Sequence, residues 1–550
     1  MRYLRSTCLM LCAGSLLAFN AAAQISVKQT PSTPSAKAVV QAAPAPAEQP
    51  EAELSFDIQR YAISGVTLFK LEEIARELAP FVGKNKNFGD VQQAIDVVQN
   101  AYVVRGYSAV RVILPEQTLV GGVIQIAVTE SRIGKVSIEG NKHFSDQNIR
   151  ASLPALLPSS APNTRIIAEQ LRFSNENPSR KTNVVLRATE QENVVDLLAN
   201  VSDEKFWKAS VLLENTGTEA TGENRVGLGF MHANVLNRDH VFQFTYMTSP
   251  SKIADVTIVG AGYKIPIYAL GDSIEVMAGY ADVNSGMVQD LFNISGSGTV
   301  LSARYNQNLS KWGEHYEHRF TYAMDYRAYD NNVTLEDDPV SVVPDVTVHP
   351  VSIAYSGRLH NDIDFQISAA KNIPGGTKGD DAAFAATRAG AKSDYQIFRY
   401  RVVVATQSFI KDSLAMLVLN GQVTSDALIP GEQFGLGGAD SVRGFLEREI
   451  GDDAGYFAKA EIYTPNMAEI LNLPTARFRA LAFFDMGAVQ RNKALPDEPT
   501  NEKISSAGLG LRVGLGKAAG LKVDYAQVQD GGGSQVKGDS RVHFALNYAF

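Results

Sequence analysis

The residue types that could do chemistry in this chain are few, and their spacing does not suit catalysis. Eight histidines (His143, His232, His240, His315, His318, His349, His360 and His543) are scattered along it. Only His315 and His318 stand close together, and with a turn at Gly313 they read as surface residues rather than metal ligands. There is no phosphate-cradling loop, nucleophile arrangement or metal cluster, so neither a cofactor nor enzymatic activity is expected. What stands out is a single cation on a backbone built to bend. In Phe434-Gly435-Leu436-Gly437-Gly438-Ala439-Asp440-Ser441-Val442-Arg443-Gly444-Phe445, glycine takes four of twelve positions and Arg443 lies between Val442 and Gly444. Such a backbone can turn tightly and pass close to a wall. Alone it reads as a surface loop; its meaning depends on the elements around it.

Those elements begin with an address. Residues 1–23 read as a secretory signal: Arg2 and Arg5, an apolar run over 9–19, then Ala21-Ala22-Ala23 before Gln24. The run is too short to span a membrane, and no apolar run of roughly 18 residues follows it. Cys12 follows Leu11 where a lipoprotein signal wants a small residue. Both cysteines, Cys8 and Cys12, lie in this removed segment, which excludes a disulfide framework and thiol catalysis. A net charge of −8 argues against nucleic acid as a partner. An exported chain without an apolar helix, carrying 44 glycines, 20 tyrosines and 25 phenylalanines, is a secreted β protein or a membrane barrel.

Residues 24–54, rich in Ala and Pro, cannot bury a core and read as a disordered linker. Two compact α+β units follow, at 55–130 and 131–203. In the first, an extended 56–63 leads to Gly65; 71–81 and 88–102 carry helical spacing (Val91, Ile95, Val98, Tyr102); 109–114 and 123–128 are strands. The second repeats the order: a strand at 133–138, a turn at Gly140-Asn141, a helix capped by Ser145, a helix at 164–173, and strands at 184–188 and 194–201. Both read β-α-α-β-β, and each offers a sheet edge on which a guest strand can lie.

From 204 to 550 the pattern is alternation. About sixteen segments fall at 207–213, 225–232, 241–247, 255–263, 273–281, 299–308, 316–327, 351–358, 362–370, 396–406, 413–422, 455–463, 477–489, 505–515, 521–528 and 541–550. In 316–327, Tyr316, Phe320, Tyr322, Met324 and Tyr326 oppose Glu317, Arg319, Thr321, Asp325 and Arg327. In the last segment Val542, Phe544, Leu546, Tyr548 and Phe550 share a side. A soluble sandwich also alternates, but its apolar side faces another sheet. Apolar outside, charged inside and aromatics at the ends fit a transmembrane β-barrel of about 16 antiparallel strands. Short connections (359–361, 407–412, 516–520) alternating with long ones (282–298, 328–350, 371–395, 423–454) fit periplasmic turns and extracellular loops.

This order of parts resembles the outer-membrane transporters of two-partner secretion, the haemolysin secretion/activation proteins (TpsB; ShlB/FhaC/HecB type). The resemblance covers nearly the whole mature chain. It includes Asn175-Glu176-Asn177-Pro178, Glu214-Asn215-Thr216-Gly217, the turn from His232 to His240, Val442-Arg443-Gly444-Phe445 and Phe483-Phe484-Asp485-Met486-Gly487. It implies two POTRA domains and a sixth outer loop folded into the lumen, with Arg443 near Asp485. Parity agrees that Asp485 faces inward, sharing a side with Arg477 and Arg479, either of which could also satisfy it. Phe483, Asp485 and Gly487 form the wall motif, and Tyr548 and Phe550 the C-terminal barrel signature. Some members carry an N-terminal plug helix; five prolines and little amphipathic pattern in 24–53 place none here.

The function so implied is export. Periplasmic POTRA domains would bind an unfolded secreted partner (TpsA-like, a large β-helical adhesin or haemolysin) and pass it through the lumen. The other partners implied are outer-membrane lipid and, during biogenesis, the barrel-assembly machinery. Two alternatives stay open: a barrel-assembly protein of the same superfamily, and a diffusion porin, which would need neither POTRA domains nor the Arg443 loop.

Overall fold

The computed structural model describes residues 55–550 apart from 220, 283–286, 289–291, 294–296, 314, 331–333, 336–337, 342–343, 361, 409 and 470–474. The signal and linker expected over 1–54 lie outside the described residues. Two compact units divide at Glu204/Lys205.

In the first unit, β1 (Phe56–Ile58) pairs with β3 (Gly83–Lys86), and β2 (Arg60–Ser64) runs parallel to β5 (Val123–Glu130), which pairs antiparallel with β4 (Val110–Ile113). Helices α1 (Leu71–Glu77) and α2 (Phe88–Val104) cover one face. A reciprocal box starts α2: Asn87 Oδ1 accepts from Asp90 N at 3.0 Å and Asp90 Oδ2 from Asn87 N at 2.9 Å. Its Val91, Ile95, Val98 and Tyr102 are buried on one stripe. The helix expected over 71–81 stops at Glu77 and finishes as a 3₁₀ turn, Ala79–Phe81. Pro80 is the cause, having no N–H and disfavouring the α conformation at Ala79.

The second module repeats this plan. β6 (Arg132–Glu139) runs parallel to the central β8 (Val194–Asp203), β7 (Arg180–Ala188) antiparallel to it, with α3 (Asp146–Ser152) and α4 (Thr164–Ser174) on one face. The repeat reaches into the loops. Gly65 (φ 81°) and Gly140 (φ 88°) each pass under a carbonyl, of Val128 and Val201, where a Cβ has no room. Two residues after each carbonyl a carboxylate gathers the amides beyond the glycine. Glu130 accepts from Thr67 N (2.8 Å) and Leu68 N (3.0 Å); Asp203 accepts from Lys142, His143 and Phe144 N at 2.8–3.0 Å. The modules join end to end: Asn163, the N-cap of α4, donates its amide to Arg105 O (3.0 Å), and Thr164 N donates to Gly106 O (2.8 Å), both just past α2.

The second unit is a closed barrel of sixteen antiparallel strands. In order these are β9 (Trp207–Glu214), β10 (Arg225–Val235), β11 (His240–Thr248), β12 (Thr257–Ile267), β13 (Asp272–Asp282), β14 (Ser297–Asn308), β15 (Tyr316–Asp330), β16 (Val346–Val348 resuming as Pro350–Leu359), β17 (Ile363–Asn372), β18 (Gln396–Gln407), β19 (Leu414–Val423), β20 (Ala454–Tyr463), β21 (Ala476–Gln490), β22 (Asn501–Leu515), β23 (Ala519–Asp530) and β24 (Ser540–Ala549). Each of the sixteen alternating segments of the sequence falls on one of them. On β15 the outward Met324 is 62% exposed and the inward Asp325 7%. The connections at the end where β9 begins are tight. At 236–239, Leu236, Asn237 and Asp239 all take positive φ, and Asn234 Oδ1 accepts from Asp239 N at 2.9 Å.

Part of the bore is not wet. Val403, Val418, Phe457, Val489, Ile504 and Val528 point inward from β18 to β23 and are buried. Alternation distinguishes inside from outside, but it cannot show that something apolar fills the inside.

Candidate functional site

What fills it is the connection between β19 and β20, residues 424–453, turned into the lumen. A short hairpin inside it pairs Phe434–Leu436 with Ile450–Asp452. Gly437 (φ 110°) and Gly438 (φ 99°) turn the chain beyond the hairpin, and Ser441 Oγ closes the turn, accepting from Gly437 N at 2.9 Å. Val442, Phe445, Leu436 and Ile450 form an apolar knob that packs on the inward wall residues named above. Burying four such side chains contributes on the order of 1.5–3 kcal/mol each, enough to hold the loop inward.

Between Val442 and Phe445 the chain presents Arg443, only 1% exposed. Its Nε donates to Asp485 Oδ2 at 2.6 Å and its Nη2 to Asp485 Oδ1 at 2.8 Å, while its amide donates to Oδ2 at 3.2 Å. Glu461 on β20 stands 2.8 Å from Nη2 and Asp524 on β23 stands 3.4 Å from Nη1. The guanidinium lies 3.5 Å from the centre of the Phe483 ring. His543 Nε2, on β24, accepts from Gly444 N at 2.9 Å. Asp524 is shared with Arg512 (2.7 and 2.9 Å), and Glu461 accepts from the Tyr463 hydroxyl at 2.5 Å. A bidentate, charge-assisted contact of this kind fixes position tightly.

The glycines of the two motifs have separate jobs. Gly444 (φ 95°) lets the tip reverse beside Ala526 and Ser506. Gly487 makes room for the loop, since a Cβ there would come within 2.8 Å of Leu436 Cδ1, and it lets the adjacent strand β20 lie close, Tyr456 O being equally near. The loop is also tied elsewhere. Glu432, 3% exposed, accepts from Arg327 Nη1 (2.8 Å) and the Tyr329 hydroxyl (2.7 Å) of β15. At its end, Asp453 takes Arg388, Leu428 N (2.8 Å) and Asn492 N (2.7 Å).

Of the residues singled out in the sequence, Val442, Arg443, Gly444, Phe445, Phe483, Asp485 and Gly487 converge here. Arg479 turns away, donating to the carbonyls of Asp412 (3.0 Å) and Thr464 (2.9 Å). Tyr548 and Phe550 lie on the outer wall with their rings in edge contact at 4.8 Å. His315 stacks on His360 at 4.7 Å, away from the loop, and no group of three metal-ligating side chains occurs among the described residues. Sequence reasoning gives no role to Glu461, Asp524, His543, Arg512 or Glu432. The first three sit at inward parity on their strands, and that is the only signal they carry.

A family model described as haemolysin secretion/activation protein ShlB/FhaC/HecB matches residues 194–513, and one for the ShlB-type POTRA domain matches 56–131. An outer membrane transporter, CdiB of Dickeya dadantii (strain 3937), is 23% identical over 432 residues, 74% of this chain and 72% of its own. The heme/hemopexin transporter protein HuxB of Haemophilus influenzae is 20% identical over 482 residues, 84% of this chain and 81% of its own. Among solved structures, CdiB from Escherichia coli superimposes with a TM-score of 0.74 at 18% identity, over 90% of this chain and 91% of that one.

Proposed function

Because this chain belongs to the ShlB/FhaC/HecB family of haemolysin secretion/activation proteins, outer membrane transporters whose POTRA domains are periplasmic, we propose that it exports one large partner protein. The partner is of the β-helical adhesin or haemolysin type and arrives unfolded. The working parts are a first module at 55–130, a second at 131–203 and the barrel at 204–550.

Capture is by strand addition to a module's sheet edge, where main-chain bonds give affinity. The outer edge of β7 supports this. There the Asn175 carboxamide stands in for a neighbouring strand, accepting from Thr182 N at 2.7 Å and donating to Thr182 O at 2.9 Å. The edge continues past it to Ala188. The captured segment enters the bore extended, and the 424–453 loop moves aside. The observation that carries the reading is a loop fastened inside a closed barrel by side chains rather than by strand pairing, which makes it a plug that can be withdrawn. Tyr548 and Phe550, outward at the last strand, are the signature read by the barrel-assembly machinery during biogenesis.

The test is to delete this protein and compare culture supernatants. Export predicts one large polypeptide missing from the supernatant and returned by complementation. An unchanged supernatant with other outer-membrane barrels depleted would move the protein to barrel assembly.

A further inference from the structure

The seat occupied by Arg443 holds more acid than one arginine needs. Asp485, Glu461 and Asp524 reach it from three different strands, at 2.6, 2.8 and 3.4 Å. Of the three, only Asp524 is also held by Arg512. The seat also contains unused polar capacity. Ser506, opposite Asp485 in register, is 0% exposed, and its Oγ has no hydrogen-bond partner among the described residues. The same holds for Nδ1 of His543, 4% exposed on the neighbouring wall. The Phe483 ring offers its face to a cation.

Withdrawing the loop takes Arg443 away and leaves the three carboxylates against two wall cations, Arg512 on Asp524 and Lys459 opposite Asp485 in register, an excess of negative charge that is strongly disfavoured wherever water is scarce. We propose that the seat is itself a binding site for basic side chains of the exported chain. An arginine or lysine of the passing segment takes the place of Arg443 on Asp485, Glu461 and Asp524, so the plug leaves by exchanging one cation for another. A guanidinium fits better than an ammonium, since Asp485 is held by two parallel N–H donors and the ring face suits a planar cation. The identity of the incoming chain rests on the export reading; the cation site does not.

The test uses the full chain, purified in detergent, with Leu446→Cys in the loop as reporter and a bulky hydrophilic maleimide as probe. Arg443→Ala should speed labelling by roughly tenfold or more, since the buried pair is lost. Millimolar guanidinium chloride should slow it again, whereas equal concentrations of tetramethylammonium chloride or urea should not. Adding Asp524→Asn should raise the guanidinium concentration needed. In the protein with native Arg443, a short extended peptide carrying arginine should speed labelling more than the same peptide carrying citrulline. That second arm needs no alteration of the seat, so it stands even if Arg443→Ala misfolds. Guanidinium acting no differently from the two controls, or arginine and citrulline peptides acting alike, would overturn the proposal. Neither result bears on whether a polypeptide is missing from the supernatant, so the two readings can fail separately.

Discussion

Arg443 answers to three carboxylates, and that changes what substitution should do. Arg443→Ala strands Asp485, buried at 0% exposure, and should cost about 3–5 kcal/mol in the seating of the loop. Reversing the pair, Arg443→Asp with Asp485→Arg, should not restore secretion. The aspartate introduced in the loop would sit beside Glu461 and Asp524, which hold Arg443 at 2.8 and 3.4 Å. Secretion assays of both single variants and the double variant check this, and recovery in the double would mean that Asp485 alone sets the contact. Gly487→Val should unseat the loop, because Leu436 of the loop leaves no space, and the neighbouring wall strand must also shift slightly at Tyr456 O. The barrel should still form, and added Leu436→Ala should restore part of the lost secretion. Sequence parity could place Asp485 inside the barrel, and a family phrase could point to Arg443. Glu461, Asp524 and His543 were legible only as inward, because parity gives the side of a strand and not the position around the bore. A third residue prediction belongs to the first module. Burial pushes the Glu130 carboxyl up, but the Thr67 hydroxyl, the amides of Thr67 and Leu68 and the Tyr102 hydroxyl (2.8 Å) outweigh it and hold it below the usual carboxylate range. A depressed carboxylate adds stability that is full above its unfolded pKa, about 4.3, and is lost as pH falls through the lower folded value. Urea unfolding of a fragment spanning 55–204 should therefore show Glu130→Gln less stable than wild type at neutral pH. The gap should close as pH falls below about 4.

Helices and strands were legible where their own residues settled the matter. The capping box of α2 and its buried stripe are local, and so is the Ser145 cap of α3, which accepts from Asn148 N at 3.2 Å. The pairing of β1 with β3 was not legible. Gly83-Lys84-Asn85-Lys86 has no apolar alternation, and its strand exists because Phe56–Ile58 lies beside it. Likewise nothing local announces that α2 ends against the start of α4. Gly106 (φ 94°) takes a conformation open to glycine, and a Cβ there would lie 2.8 Å from Arg165 Cβ. Gly106→Ala should therefore cost about 1–2 kcal/mol from the left-handed backbone alone. It should also loosen the two modules from one another without unfolding either. Spin labels placed one on each module should report a broader distance distribution in the variant. An unchanged distribution would show that the Asn163 and Thr164 bonds to Arg105 and Gly106 do not set the angle between the modules.

At the scale of the whole barrel, closure is the weakest step in the ring. β24 meets β9 over five register pairs, Ala545↔Glu214 to Ala549↔Ser210, whereas β23 and β24 share nine. Beyond Glu214 the seam continues through side chains, a 3.4 Å bond from Arg541 Nη2 to Gly217 O and two shorter bonds of Asn215. Asn215 donates its amide to Val542 O at 2.6 Å and accepts from Phe544 N at 2.8 Å, doing for β24 what a further strand residue would have done. In the sequence Asn215 is legible only as part of the phrase Glu214-Asn215-Thr216-Gly217, because closure joins the two ends of the barrel and no local pattern records that. A barrel wall opens most readily where its hydrogen-bonded edge is shortest, since an unpaired edge facing hydrocarbon is strongly disfavoured. Asn215→Ala should remove two bonds there, worth about 0.5–1.5 kcal/mol each. It should lower the temperature at which the folded barrel loses its fast mobility in semi-native electrophoresis, and leave the Arg443 seat intact. Asn215→Asp keeps the acceptor for Phe544 N but sets a carboxylate against Val542 O, so it should fall at least as far as Asn215→Ala. If both variants melted with wild type, the five main-chain pairs would suffice for closure, and Asn215 would be serving only the turn in which it sits.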